Sequence, residues 1–451
     1  MGGLGLAVRL GYVLAYKLHA QPAGDAFYYH YQADLLAQGK WFVNPFTYFL
    51  GHHQLAPAAD HPPLWTLVLA VAAVVGIKGF FGQLVWACLI GAGGAVVVGL
   101  AADEVSGHRA GIIAGLLAAV FPDFWINDGL LLSESLMPLV VGLIIVCAYR
   151  YRKARTPRRA AALGAAVALG SLTRPELVLL LPVVLVWVGW PSDARAWRPG
   201  LTRTAAAVVA SALLIGPWVG FNMARFREPV FISSEMGLTL ATANCDQTYY
   251  GPLLGYWSLS CAGAITQPPG LDGPGEDAVD RRVAVAYIEN HERRLPAVVA
   301  ARFGRDLGLY RPAQQIDLEW SVLRRPRLPA WLGLLGFYAA AVAAVPGAWL
   351  LHRRRVLWLP LAAVVLDALL AAAVAFGQSR YRVAIDVVVV VLAAVALDAL
   401  TGRLRPAPSQ MGVMSAHPAG AVQAPTGGHS RRVARPSGLH EPQGQGSTRT
   451  T

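Results

Sequence analysis

Charge is scarce in this chain: only 14% of its 451 residues are Asp, Glu, Lys or Arg, and just 26 are acidic. With 55% hydrophobic residues and a mean hydropathy of +0.46, so little charge excludes an ordinary soluble globular domain. Strand-like alternation of apolar and polar residues is also missing, which argues against a transmembrane barrel. The opening segment "MGGLGLAVRLGYVLAYKLHA" lacks the basic start, the clean apolar stretch and the small-residue cleavage site of a signal peptide. It reads as a retained helix in which Arg9 sits unusually deep. Of the four cysteines, none forms a short Cys-x-x-Cys pair, so a thiol metal site is not expected. No internal repeat is visible.

What the chain has instead is a series of apolar runs, each close to the length needed to cross about 30 Å of hydrocarbon as a helix. The expected fold class is an all-α integral membrane protein with about ten transmembrane helices. Approximate spans are Gly3–Ala20, Phe80–Ala102, Arg109–Phe121, Leu132–Ala148, Ala160–Leu172, Glu176–Trp190, Thr204–Gly220, Ala330–Leu350, Val356–Phe376 and Val383–Leu400. The net charge of +12 does not imply nucleic-acid binding, because the basic residues cluster in short loops. "YRYRKARTPRR" (Tyr149 to Arg159), "DARAWRPGLTR" (Asp193 to Arg203) and "LHRRR" (Leu351 to Arg355) anchor one cytosolic face. For the first helix to start on that face too, the proline-led segment Pro62–Lys78 must lie along the outer interface rather than cross.

This topology divides the chain into a transmembrane module at 1–220 containing a first outer loop at 21–78, an extracytoplasmic loop region at 221–328, C-terminal helices at 329–401, and a polar cytosolic tail at 402–451 expected to be disordered. Arg324, Arg325 and Arg327 are placed outside, against the usual bias, although long loops are largely exempt from it. Cys245 and Cys261 fall in the outer loop region, where a disulfide between them would restrain the loop by about 3 kcal/mol. The other reading is a pair of free thiols.

Ionisable residues at helix mouths are costly unless they find partners or serve a site. Asp25, beside Tyr28 and Tyr29, follows the first helix; His61 lies in "ADHPPLW"; Glu134 in "LLSESLMP"; Arg174 and Glu176 in "LTRPEL"; Arg380, Tyr381 and Arg382 in "SRYR". A carboxylate there can simply mark the water boundary, and arginines can anchor headgroups. Gathered on one face, however, they suit a reaction between an anionic lipid and a neutral hydroxyl. His52, His53, Asp60 and His61 are nitrogen and oxygen donors close in sequence, so a metal among them is open, with polar packing the plainer reading.

The first-loop stretch "GDAFYYHYQADLLAQGKWF", "HPPLW", "LLSESL" and "TRPE", in this order, resemble the polytopic GT-C glycosyltransferases, in the branch of dolichyl-phosphate-mannose protein mannosyltransferases and aminoarabinose transferases. The resemblance covers the first half of the chain; the second half follows only in its helix pattern and "RYR". It implies a GT-C fold with an interfacial helix in the first outer loop, in a plasma membrane with the active site facing outside the cytoplasm. It also implies a polyprenyl-phosphate sugar donor and a hydroxyl-bearing acceptor on a protein, cell-wall glycan or lipid. Asp25 would be the catalytic base and Glu134 the second acidic residue, with Tyr28, Tyr29, His61, Arg174, Glu176, Arg380, Tyr381 and Arg382 as substrate-binding candidates. Many relatives carry two adjacent acidic residues where this chain has Asp25 followed by Ala26, which leaves the second carboxylate's role open and weakens the case for a divalent cation, though one stays open. The Ala-, Val-, Gly- and Arg-rich composition points to a bacterium. A transporter or flippase of a lipid-linked sugar is the alternative; it would be marked by midplane ionisable residues and repeats.

Overall fold

The structure, a computed structural model, describes residues 1–190 and 197–403. The part of the expected cytosolic tail beyond Arg403, and Pro191 to Arg195 with Ala196, lie outside them. The described chain is helical, and its one ladder-like contact outside helices is a bridge between Val43 and Pro57.

The first third runs α1 (Gly2–Tyr16), α2 (Asp25–Ala37), α3 (Pro45–Leu50), α4 (Pro63–Val74), α5 (Phe80–Ser106), α6 (His108–Val120) and α7 (Pro122–Asp128). Then follow α8 (Met137–Lys153), α9 (Pro157–Ser171), α10 (Leu180–Gly189) and α11 (Trp197–Met223). The region between α11 and the last three helices holds α12 (Met236–Ala243), α13 (Asp246–Tyr249), α14 (Leu259–Gly263), α15 (Gly273–Asn290), α16 (Leu295–Asp306) and α17 (Pro312–Leu323). The last three helices among the described residues are α18 (Arg327–Arg353), α19 (Leu359–Val374) and α20 (Val383–Arg403).

Five segments among the described residues are long and apolar enough to cross a membrane: Phe80–Ser106, Ser133–Lys153, Arg198–Met223, Arg327–Arg353 and Ser379–Gly402. A sixth is the broken pair α6 and α7, bent by 51° where Pro122 removes a backbone donor. Gly2–Tyr16, Pro63–Val74, Pro175–Gly189 and Leu359–Val374 are apolar but shorter. This is a multi-pass membrane protein. Helix α4, at 12 residues, is about 18 Å long and cannot cross, in keeping with an interfacial segment in the first outer loop. Trp65, Leu69, Ala72 and Ala73 are buried on it while Val71 and Val74 are bare.

Helix α5 is the hub of the bundle and packs closely on α6. A Cβ on Gly99 would meet the Gly111 carbonyl oxygen at 3.0 Å, and one on Gly111 would meet the Gly99 carbonyl at 2.9 Å. With no gain in water exclusion to drive helix association in lipid, such close backbone contact is what holds the pair.

Two sequence oddities resolve into buried ion pairs. Arg9 of α1 donates from Nε to Asp128 Oδ2 at 2.6 Å, both side chains being inaccessible. Arg325 pairs with Asp123 of α7 and with Glu319 of α17, while Arg327 pairs at the surface with Asp317. The three basic residues that sat against the charge bias therefore include one, Arg325, drawn inward by carboxylates. Cys245 and Cys261 are bridged, with Cα atoms 6.0 Å apart.

Candidate active site

Gly24 turns the chain after α1 at φ +55, a conformation glycine adopts without cost, and α2 begins at the next residue. Asp25 thereby occupies the first turn of α2, where the helix dipole favours an anion. Its Oδ2 accepts a hydrogen bond from Arg380 Nη1 at 2.8 Å. Arg380 lies on the 3₁₀ turn Ser379–Arg382 that leads into α20.

Glu134, on the turn Ser133–Leu136 ahead of α8, is 2% exposed and lies between two cations. Arg174 Nη1 donates to Glu134 Oε1 at 3.0 Å, and Arg380 Nε stands 3.5 Å from the same oxygen, an ion pair without a formed hydrogen bond. Arg174 also donates to Glu176 at 2.9 Å, and its guanidinium lies 4.4 Å from the centre of the Tyr381 ring. The result is a continuous string, Asp25, Arg380, Glu134, Arg174 and Glu176, from four distant parts of the chain.

Beside it, His61 stacks on Tyr29 at 4.8 Å and meets Tyr28 edge-on at 4.7 Å. Its Nδ1 is 2.8 Å from Glu235 Oε2. Burial favours the neutral imidazole, but Glu235, Asp25 and Asp60 outweigh it and push the His61 pKa up to about 9. Burial likewise resists ionisation of Asp25, yet Arg380, His61 and Arg174 hold its pKa down at about 2. Asp60, half-buried and facing Glu235, is raised.

A stability prediction follows from His61, which faces Glu235, Asp25, Asp60 and the two tyrosines. Its folded-state value lies above the ordinary 6.5, so its contribution is fully present below pH 6.5 and is lost as pH rises through about 9. The difference in thermal midpoint between the wild type and His61→Phe should shrink between about pH 6 and pH 10. A constant difference would show that His61 is not charged in the folded protein.

Of the residues singled out from sequence, Asp25, Glu134, Arg174, Glu176, Arg380 and Tyr381 come together, with Tyr28, Tyr29 and His61 alongside. Arg382 does not join them. It is 1% exposed and turned the other way: Nη2 donates to Asp123, Nε donates to Asp386 at 3.0 Å, and the guanidinium lies over Phe337 at 3.9 Å. On a 3₁₀ turn, residues two apart point about 120° away from each other, so Arg380 and Arg382 cannot share a target. Of the tyrosines near the disulfide, Tyr249 and Tyr256 are buried and Tyr250 is exposed. Sequence reasoning missed Glu235, which sits in "SSEM" with no patterned neighbours.

A cavity of about 610 Å³ opens at the start of α2, and none of the five residues of the string lines it. Its walls include Ala23 and Ala26 from the start of α2, Phe80, Leu323 and Leu328, with Lys17 and Arg324 at the polar side. Lys17 Nζ donates to the Arg324 carbonyl at 2.8 Å. All three carboxylates of the string already face guanidinium groups, and among the described residues no three His, Cys, Asp or Glu side chains gather as a metal site.

Residues 60–220 match the sequence family described as dolichyl-phosphate-mannose-protein mannosyltransferase. His61, Glu134, Arg174 and Glu176 fall inside that match; Asp25 and Arg380 fall outside. No curated protein matches the chain. Among solved structures, the oligosaccharyltransferase of Archaeoglobus fulgidus in its apo form superposes with a TM-score of 0.51 at 15% identity, covering 89% of this chain and 50% of that one. The same protein in complex with Zn and sulfate gives 0.51 at 16% identity, covering 89% and 49%. ArnT from Cupriavidus metallidurans bound to undecaprenyl phosphate gives 0.39 at 16% identity, covering 88% and 78%. The chain thus spans about half the length of the archaeal enzyme it matches. Over residues 60–220 the chain is thus similar to the dolichyl-phosphate-mannose-protein mannosyltransferase family, and its fold resembles that of the archaeal oligosaccharyltransferase.

Proposed function

We propose that this protein transfers a sugar from a polyprenyl-phosphate carrier to a hydroxyl acceptor on the outer face of a bacterial plasma membrane. The observation that carries the reading is the string Asp25, Arg380, Glu134, Arg174 and Glu176, with a largely apolar cavity at the start of α2 lined by Ala23 and Ala26, which flank Asp25 in sequence. Arginines suit a lipid phosphate, an apolar groove suits an isoprenoid chain, and an ionised carboxylate suits an incoming hydroxyl. The name of the family matched by residues 60–220 supports a lipid-phosphate sugar as donor.

In the proposed step, the acceptor oxygen attacks the anomeric carbon and its proton passes to Asp25. The bond from that carbon to the phosphate oxygen breaks, and the polyprenyl phosphate departs with the electron pair from the opposite face, inverting the centre. Arg380 meets the charge that develops on the phosphate. An oxygen base held at about pKa 2 is weak, so the chemistry requires that Arg380 loosen from Asp25 as it engages the phosphate. Glu134 keeps Arg174 and Arg380 in register.

The test is transfer of labelled sugar from a panel of polyprenyl-phosphate sugars, in membranes containing this protein, to an envelope extract. Donor-dependent label in the acceptor is the expected result. Folded protein that consumes no donor but moves lipid-linked sugar between vesicle leaflets would replace the reading with that of a flippase.

A further inference from the structure

Within the four residues Ser379–Arg382, the Arg380 guanidinium meets the Tyr381 ring, at 5.4 Å from its centre. The grip on this turn comes from helix α17 and the segment after it. Glu319 Oε1 accepts from the Ser379 hydroxyl at 2.6 Å and from the Ser379 amide at 3.3 Å. Arg325 Nη1 donates to the same hydroxyl at 2.7 Å and to Glu319 Oε2 at 3.0 Å. Gln315 Nε2 donates to Glu319 Oε1 at 3.0 Å, so the carboxylate is engaged on all sides.

The far end of the turn is held as well. Arg382 is tied to Asp123, Asp386 and the Asp306 carbonyl, and Asp123 is also the partner of Arg325. Both ends are therefore fixed to buried partners, and Arg380 and Tyr381 between them face Asp25, Glu134 and Arg174. Buried ion pairs add little net stability over well-packed apolar residues. What this one supplies is a single geometry, since satisfied polar networks are stiff.

We propose that Glu319 and Arg325 are positioning residues for transfer: acting through Ser379, they set Arg380 where it can reach Asp25 and the donor phosphate. The proposal rests on the functional reading above, in which Arg380 receives that phosphate. No cation or cavity alone would account for the contacts to the Ser379 backbone.

Glu319→Gln and Ser379→Ala should each lower kcat about 10- to 100-fold while the acceptor KM stays within about twofold, because a misplacement of ångström size costs chemistry rather than acceptor binding. Ser379→Thr keeps the oxygen and should retain kcat within about threefold. Asp317→Asn, on the same helix but in an exposed pair, should leave kcat unchanged. Wild-type kcat per folded molecule in Glu319→Gln would overturn the proposal.

A second measurement does not depend on activity. In Arg380→Cys, adding Glu319→Gln should raise the rate of modification by a membrane-impermeant thiosulfonate about tenfold as the turn loosens. An unchanged rate overturns the grip. If the wild type transfers no sugar from any donor, the functional reading fails, and labelling still decides whether Glu319 holds the turn.

Discussion

Asp25→Asn is expected to lower sugar transfer about 10²- to 10⁴-fold while leaving the amount of folded, membrane-inserted protein unchanged. The substitution is nearly isosteric. Arg380 keeps Glu134 as a counter-ion, so no buried charge is left alone. What is lost is the lone oxygen base at the start of α2. In the resting protein that base is held at about pKa 2 by Arg380 at 2.8 Å, by His61 and by Arg174, with Glu134 bound to both arginines. It is thus already ionised at any working pH, and kcat/KM should show no acid limb from Asp25 above about pH 4. Once the donor phosphate draws Arg380 away, the carboxylate regains basicity, so an acid limb should appear in kcat at higher pH than in kcat/KM. Comparing the two profiles in the wild type, and transfer in Asp25→Asn, tests base and switch together. Normal turnover in the variant would remove Asp25 from the chemistry.

Much of this site was legible because membrane burial is intolerant of stray charge. Asp25, Glu134, Arg174, Glu176 and Arg380 each stood out as an ionisable residue at the mouth of an apolar run, and the chain brings all five together. Arg382 stood out for the same reason and in the same "SRYR", yet it faces away, because direction on a 3₁₀ turn is not visible in a motif. The partners that hold the site were hidden for a different reason. Asp123 meets Arg325 across 202 positions and Arg382 across 259, and no local pattern encodes such pairings. Glu319 in "IDLEW" reads as one more polar residue on an amphipathic helix. Helix crossings were harder to read than helices: short apolar helices such as α4 and α10 carry the composition of a span without its length.

The largest loss of stability should come from Asp123→Ala. One carboxylate on α7 pairs with both Arg325 and Arg382, whose side chains are 2% and 1% exposed. Removing it leaves two buried guanidinium groups short of a partner, though Glu319 and Asp386 remain. Breaking such a buried pair typically costs about 3–5 kcal/mol. The cost should appear as a lower thermal midpoint in detergent and as faster proteolysis of the outer loop region. Asp317→Asn, which breaks an exposed pair, should cost less than about 1 kcal/mol. The combined change Asp123→Leu, Arg325→Met, Arg382→Met, Glu319→Gln and Asp386→Asn, which leaves no buried charge of the network alone, tests the cause: if uncompensated charge is what destabilises Asp123→Ala, the neutral variant should recover most of the midpoint. It should still lose transfer, because the turn bearing Arg380 has lost Arg325. Recovery of both stability and transfer would mean that the network only fills space, whereas recovery of stability alone separates the pairs that hold this fold from the pairs that aim its chemistry.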